Sequence, residues 1–276
     1  SRTWEVRAAD GSGRGVAKRA GGERAVFEAG LRVAEMLEER GFPAGGPVRT
    51  RGDGELAVPC AGEWLALLRY VPGEPVPLGT PGGLATWGEV IGRVHSLLAG
   101  VAPPEGLPGA DRTGSGGDSG AGNGIDLDAP FLDVADWLRP ALASAHAGVA
   151  ALPGLTCGIV HNDGCEPRRD PSTGAVSVID WNAAGYGPLL TDVGVARYQT
   201  PDGVDFTPFL DAYRETAPVR PDELRHADAF ARLRAAMAGW YFAWRIGAGN
   251  TVGAVDDRWN RDGLDEARRA WERLAR

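Results

Sequence analysis

Residues 159–181 read IVHNDGCEPRRDPSTGAVSVIDW and hold the most concentrated chemistry in the chain. Two short apolar runs, CGIV at 157–160 and VSVI at 176–179, flank a turn-forming segment, DPSTGAV at 170–176. Apolar, β-branched runs bounded by Gly, Pro, Asp and Ser predict two strands joined by a turn. The strands are expected to be neighbours, with His161–Asn162–Asp163 at the end of one and Asp180–Trp181–Asn182 at the end of the other. That layout brings carboxylates to one crevice without burying them. Two such carboxylates suit Mg2+, which takes one or two of them and leaves room for substrate phosphates.

Far upstream, one residue stands out. Of the 29 basic side chains only Lys18 is a lysine; the rest are arginines, within an Arg, Ala and Gly bias typical of a high-GC bacterial genome. Lys18 is either a survivor at a neutral position or a site where a compact ammonium and a planar guanidinium cannot be exchanged. Residues 3–20 read as strand, turn and strand, with the Asp-Gly chemistry of a hairpin in DGSGRG at 10–15. Lys18 falls on the second strand, on the same face as Val16. A helix from Glu23 to Arg40 follows, with Val26, Phe27, Gly30, Leu31, Ala34 and Leu37 on one side and Gly41 as its stop. Strands over 47–58 and 64–71 complete a small first lobe, residues 1–72, mostly sheet with one helix.

The second lobe, 73–276, is largely helical. Helices are expected at 84–100, near 131–150, and at about 205–216, 222–248 and 261–275. A Gly/Ser/Asp-rich insertion at 103–128 reads as a flexible surface loop. Its GSGG is no phosphate loop, because no strand precedes it and no Gly-Lys-Ser/Thr follows. The stripe Phe230, Leu233, Met237, Trp240, Tyr241 and Trp244 reads as core-facing, with Trp240, Tyr241 or Trp244 as alternative walls for a ligand. Asp222 and Glu223 are acids that could receive an amino-bearing molecule, and His95 reads as a structural helix residue.

The 276 residues carry 43% hydrophobic and 24% charged side chains, ordinary for a soluble globular protein. A net charge of -8 offers no basic stripe, so nucleic acid is not an expected partner. No apolar run approaches the ~20 residues that span a bilayer, so no membrane partner is expected either. Three cysteines without metal spacing (Cys60, Cys157, Cys165) suit a reducing cytoplasm better than a disulfide framework.

His161-x-Asp163, the later Asp180 in VIDW, the GPLLTDVGVA tail with Asp192, the lone Lys18 and the order of the lobes together resemble the aminoglycoside phosphotransferase and choline kinase-like superfamily. The resemblance runs nearly the length of the chain. It implies an α+β, bilobal protein-kinase-like fold and ATP-dependent (or GTP-dependent) phosphorylation of a hydroxyl on a small molecule, an antibiotic or a metabolite, with Mg2+ as cofactor. Asp163 would be the base and His161 its loop support, and Asp180 the metal ligand. Lys18 would grip the nucleotide phosphates, held by Glu28, with Glu23 and Glu35 as rivals on the same helix. Asp192 would be structural. A hinge over Leu68–Val71 would bring the backbone of Arg69, Tyr70 and Val71 to the base of the nucleotide. The protein is expected to act as a monomer or dimer.

Two departures from the family pattern stand out. Arg168 occupies the place of the usual metal-binding Asn, and a guanidinium cannot ligate a cation; it would have to turn toward phosphate oxygens. Glu166 and Asn182 are the candidate replacement ligands, and the strand after position 168 is shortened. The first strand of the nucleotide-covering hairpin is also missing from the pattern. Two further readings therefore stay open. One is a degenerate kinase fold that binds nucleotide or a partner without turnover. The other is a metal-dependent hydrolase using His161, Asp163 and Asp180, poorly supplied because the four histidines form no HxH or HExxH pair.

Overall fold

The Asp-Gly turn closes as its composition demands: Gly11 adopts φ +72° and the Ala8 N–H donates to the Gly13 carbonyl at 2.9 Å. β1 (Arg2–Arg7) and β2 (Arg14–Ala20) are thereby paired antiparallel, with Thr3 opposite Lys18. The computed structural model describes every residue except Ser12, 110–125, Asp257 and Arg276.

Helix α1 (Arg24–Glu39) shares its apolar residues between two cores. Phe27 and Leu31 join Ala20, Leu56, Ala57 and Ala66 under the sheet, whereas Val33, Ala34 and Leu37 enter the main core of the molecule. Gly41, at φ +76°, stops the helix: its N–H and that of Phe42 take the carbonyls of Glu38 and Leu37, each at 2.9 Å. β3 (Val58–Cys60) and β4 (Glu63–Arg69) complete a four-stranded sheet in the order β1-β2-β4-β3. The strand expected over 47–58 is not formed. Pro47 makes a single bridge to Leu68, and the chain then folds on itself at Gly52–Gly54, where Thr50 N–H meets the Glu55 carbonyl and Glu35 clamps Arg49 at 2.7 and 2.9 Å.

The second lobe contains β5 (Glu74–Pro75), α2 (Pro81–Leu97), α3 (Leu138–Ala150), β6 (Cys157–Val160), β7 (Arg168–Arg169), β8 (Val176–Ser177), β9 (Gly185–Pro188) and helices α4 (Leu190–Gln199), α5 (Thr207–Thr216), α6 (Ala227–Gly247) and α7 (Trp259–Leu274). This is the α+β, bilobal architecture that the resemblance implied. α2 begins with Thr80 as its cap, accepting the Gly83 N–H at 3.1 Å, and Pro81 as its first residue. Gly88 and Gly92 let α2 lie directly against α5, because added Cβ atoms would overlap the Phe209 carbonyl and the Thr216 hydroxyl. Trp87, Ile91, Ile159, Val178, Trp181, Phe209 and Phe230 fill the main core. Each such side chain stabilises the fold by roughly 1.5–3 kcal/mol on burial. A second core under α3, α6 and α7 holds Leu138, Leu142, Trp240 and Leu264.

Three expectations need correction here. The strands framing the central stretch are not sheet neighbours: β6 pairs with β9, while β8 pairs with β7 and β7 with β5. The glycine-rich GYGP of β9 masks its strand character in sequence. Helix α4 was not anticipated, because Leu190, Asp192, Val193, Gly194, Val195 and Ala196 are all buried and leave no amphipathic period. The insertion is tethered at its start: the Tyr186 N–H donates to the Pro108 carbonyl at 2.8 Å, and Gly106 lies against the Ala25 carbonyl. The loop expected over 110–125 lies outside the described residues. No described helix is long and apolar enough to cross a membrane.

Candidate active site

The loop after β6 is held by a single buried carboxylate. Asp192, in the first turn of α4, accepts the His161 N–H through Oδ2 and the Asn162 N–H through Oδ1, both at 2.8 Å. His95 Nε2 reaches the same Oδ2 at 3.0 Å, and His95 Nδ1 lies 2.8 Å from the Tyr213 hydroxyl. Burial alone would push the Asp192 carboxyl up, but the hydrogen bond from His95 and the neighbouring His161 more than offset it, leaving it below the usual carboxylate range. Burial and Asp192 push the Tyr213 phenol well up, so it stays neutral and donates to Nδ1. Nε2 then carries the proton that faces Asp192, a tautomer inferred from the network. The support for the loop is therefore larger than sequence reading suggested: His95 is structural as expected, but it acts on the candidate site.

His161 is buried, with Nε2 at 3.0 Å from the Ile179 carbonyl and its ring edge-on to Trp181 at 4.7 Å between centroids. This contact, rather than strand pairing, joins the His161–Asp163 cluster to the Asp180 segment. Asn162 takes φ +63° and Asp180 φ +69°, so both loops turn through the left-handed region at the residue that adjoins the candidate chemistry.

Asp163 leaves the loop half exposed, and its Oδ1 accepts from Arg234 Nη2 of α6 at 3.0 Å. Burial of its surroundings raises the Asp163 carboxyl, but Arg234, then His161 and the Gly164 N–H, overcome this and hold it below its ordinary value. Sequence reading missed Arg234. The one available signal was an arginine set among alanines in ARLRAAMAG (231–239), and Arg232, two residues away, confounds it.

Lys18 Nζ forms an ion pair with Asp180 Oδ1, joining the small-lobe sheet to the Ile179–Trp181 segment. Lys18 is 3% exposed at its side chain and Asp180 57%, so the ammonium is enclosed while the carboxylate still faces solvent. The expected Lys18–Glu28 pair is not formed. Arg24, one turn away on the same side of the helix, takes the Glu28 carboxylate at 2.8 Å, and Glu35 is occupied by Arg49. Glu23 stands just ahead of α1 without capping it through its side chain. Gly30 lets α1 rest on the Asp180 turn: its Cα side faces the Trp181 carbonyl so closely that a Cβ would collide with it, and Asn182 Cα lies 3.2 Å from that Cβ position.

Arg168 is engaged by the backbone. It lies in β7 opposite Pro75 and donates through Nη2 to the Gly73 carbonyl, which fixes its guanidinium on the linker between the lobes. The Arg69 N–H is used by the Gly46 carbonyl at 2.9 Å and its side chain by Glu38 at 2.7 Å, so the hinge groups beyond the ladder belong to Tyr70 and Val71. Tyr70 lies under the Arg14 guanidinium at 3.9 Å, and the side chains of Val71 and Ile179 both border Gly45.

Asn182 sits in the single helical turn that follows Asp180. Glu166 lines a cleft of about 440 Å³ with Val76, Leu78, Trp87, Gly164 and Gln199, in the helical lobe. Glu223 is buried and spent on Thr156, accepting its N–H at 2.8 Å and its hydroxyl at 2.7 Å, and Asp222 faces Arg220. Glu223 is thereby not free to receive an amino group. Trp240 is 1% exposed and belongs to the core. Among the described residues no three His, Cys, Asp or Glu side chains gather into a metal cage. A cation held by one carboxylate and the phosphates of a substrate fits the exposed Asp180, with the Asn182 amide close in the chain.

Residues 1–240 match the sequence model of the phosphotransferase enzyme family, APH. No curated protein sequence matches the chain. Among solved structures, a microcompartment-associated aminopropanol kinase is similar at a TM-score of 0.70 and 16% identity, over 99% of this chain and 88% of the other. An amicoumacin kinase in complex with AMP-PNP and Ca2+ gives 0.69 and 14%, over 98% and 85%. A choline kinase from Streptococcus pneumoniae gives 0.65 and 11%, over 98% and 89%.

Proposed function

The chain belongs to the phosphotransferase enzyme family, and we propose that it transfers the terminal phosphoryl group of ATP, or GTP, to a hydroxyl of a small molecule. The observation that carries this reading is the meeting of two lobes at one pair of residues. Lys18, the one lysine, is enclosed and reaches from β2 to Asp180, and the segment bearing Asp180 is bonded through Ile179 to the His161 imidazole two residues from Asp163.

Asp163 takes the proton of the acceptor hydroxyl, and its depressed pKa keeps it ionised and ready to accept at neutral pH. His161 and Asp192 position that carboxylate by fixing the loop backbone. Lys18 orients the donor's phosphates once it exchanges Asp180 for them. Asp180 holds the divalent cation, Mg2+ in this proposal, with Asn182 as the neighbouring amide. The cation supplies charge neutralisation on the phosphates when bound. Glu166 and Arg168 drop out of this set, because one lines the helical-lobe cleft and the other is bound to the linker. Tyr70 and Val71 offer backbone groups to the base. The three unpaired cysteines support a reducing, cytoplasmic setting.

The test is a screen of hydroxylated metabolites and antibiotics for an ATP-dependent mass gain of one phosphate, with Asp163→Asn as the control. Transfer that survives Asp163→Asn at the wild-type rate would remove Asp163 from its role. The second reading, nucleotide binding without turnover, draws on Arg168 in the place of an amide ligand. It predicts that ATP and Mg2+ bind in titration calorimetry while no acceptor gains phosphate.

A further inference from the structure

Arg234 rests on the carboxylate that the proposed reaction uses as its base, and its role reaches beyond holding that base. Its Nη2 takes only Oδ1 of Asp163, leaving the second oxygen for an acceptor hydroxyl. Arg234 Nε is buried and has no partner among the described residues. A guanidinium presents five donors in a rigid fork suited to a carboxylate; the Arg234 side chain is 29% exposed beside Asp163, so its terminal amino groups, rather than the buried Nε, are the donors that an acceptor meets.

The charges around this point are mostly accounted for. Arg273 donates to the Tyr198 carbonyl at 3.0 Å and pairs with Asp202. Asp228 is taken by Arg197 at 3.0 Å. Glu266 faces the Tyr198 phenol together with Arg234 and Arg273. Arg232 lies over the Trp271 ring at 4.7 Å. On the other side of Gly164, Gln199 and Glu166 border the cleft. The carboxylate that touches Arg234 is thus the base itself.

A hydroxyl seated on Asp163 within hydrogen-bond reach places its neighbouring substituent within a few ångströms of this guanidinium. An ammonium there would meet a like charge; a carboxylate would meet unused donors. We propose that Arg234 recognises the acceptor, and that the acceptor is a hydroxy acid carrying its carboxylate beside the hydroxyl to be phosphorylated. This rests on the phosphotransferase reading above. The acceptor oxygen forms its bond to the terminal phosphorus as the bond from that phosphorus to the bridging oxygen breaks. The electron pair leaves with the nucleoside diphosphate, and the hydroxyl proton goes to Asp163.

The experiment uses the full chain with ATP and Mg2+ and three matched acceptor sets: hydroxy acids, their primary amides, and amino alcohols of the same length. Each is read as mass gain of one phosphate and as kcat and KM. Hydroxy acids are expected to be turned over, with kcat/KM about tenfold to a hundredfold above their amides, as the loss of a charge-assisted hydrogen bond implies. Arg234→Gln should raise KM for the acids by about tenfold or more and bring the acid-to-amide ratio toward one. Arg234→Lys, which keeps the charge but loses the fork, should fall between, and thermal melting of both variants checks that they fold. Amides or amino alcohols turned over as well as the acids by the wild-type chain overturn the inference while leaving the phosphotransferase reading standing. An equal drop in kcat for every acceptor in Arg234→Gln also overturns it, since that pattern places Arg234 on the transferred phosphate. No transfer in any set, with ATP bound, overturns this inference, and the wider screen of hydroxylated metabolites and antibiotics then decides the phosphotransferase reading.

Discussion

His95 Nε2 lies 3.0 Å from Asp192 Oδ2, with both side chains sealed from water. The pair ties α2 to α4, and the same carboxylate receives the backbone of His161 and Asn162, so the position of the candidate base is set by residues that touch no substrate. Removing the imidazole leaves the buried carboxylate short of one hydrogen bond, a loss of about 1.5–3 kcal/mol. His95→Phe should therefore lower the stability measured by denaturant unfolding by that order, and turnover should fall with it as the loop loosens.

The sign of the pH effect follows from Asp192 as well. Its folded pKa is depressed, so its contribution is complete above the ordinary carboxylate value of about 3.9 and drains away as pH falls through the lower folded value. Wild-type stability should decline steeply in acid below about pH 4. Asp192→Asn should be less stable at neutral pH and flatter through that acid range. Parallel acid profiles for the two chains would contradict the assignment.

Asp163 is the proposed base, so its own titration bears on that role. Burial raises it, but Arg234 leads the influences that lower it, and the net shift is downward. The acid limb of kcat/KM should therefore lie below about 3.9. Arg234→Gln removes the leading lowering influence and keeps the burial, so that limb should move upward in pH, which a kcat/KM profile in buffered series reads directly. Asp163→Asn should cut turnover by about 10²- to 10⁴-fold with nucleotide affinity unchanged.

What the sequence made legible follows the range of each interaction. The hairpin, the stop at Gly41 and the amphipathic α1 are governed by neighbours a few residues apart, and all could be read from composition and period. The central loop and Lys18 were visible because unusual residue types sat at strand ends. β9 and α4 escaped because glycine and all-round burial erase the periods by which strands and helices are recognised. Lys18 choosing Asp180, Glu28 falling to Arg24, and Arg234 arriving on Asp163 from 71 residues away are contacts of tertiary packing, with no local trace.

The Lys18–Asp180 pair should behave as a coupled unit. Asp180→Asn removes the partner of an enclosed ammonium, though the carboxylate is more than half exposed and solvent screens part of the loss. Lys18→Met removes the ammonium itself. The double substitution should cost less stability than the sum of the singles, with a coupling of about 0.5–3 kcal/mol in a denaturant double-mutant cycle. Titration with ATP and Mg2+ should show both singles weakening nucleotide binding. Nucleotide affinity at wild-type level in Asp180→Asn would dissociate Asp180 from the cation.

Gly30 separates stability from alignment. In an exposed helix interior Gly→Ala gains roughly 0.8–1 kcal/mol of helix propensity. At position 30 the new methyl meets the carbonyl of Trp181, which is backbone and is held by the turn that begins at Asp180. Overpacking of this kind costs about 1–3 kcal/mol, so Gly30→Ala should be destabilising on balance despite the propensity gain. Relief requires α1 to lift from the Asp180 turn, and α1 shares the small-lobe core with Ala20, two residues past Lys18. The lift should therefore lengthen the reach from Lys18 to Asp180. Gly30→Ala is expected to lose more in kcat/KM than the same loss of melting temperature causes when produced by an α3 substitution such as Ala145→Gly, measured side by side well below both melting points. Equal losses in the two variants would mean that the seat of α1 on the Trp181 carbonyl serves stability alone.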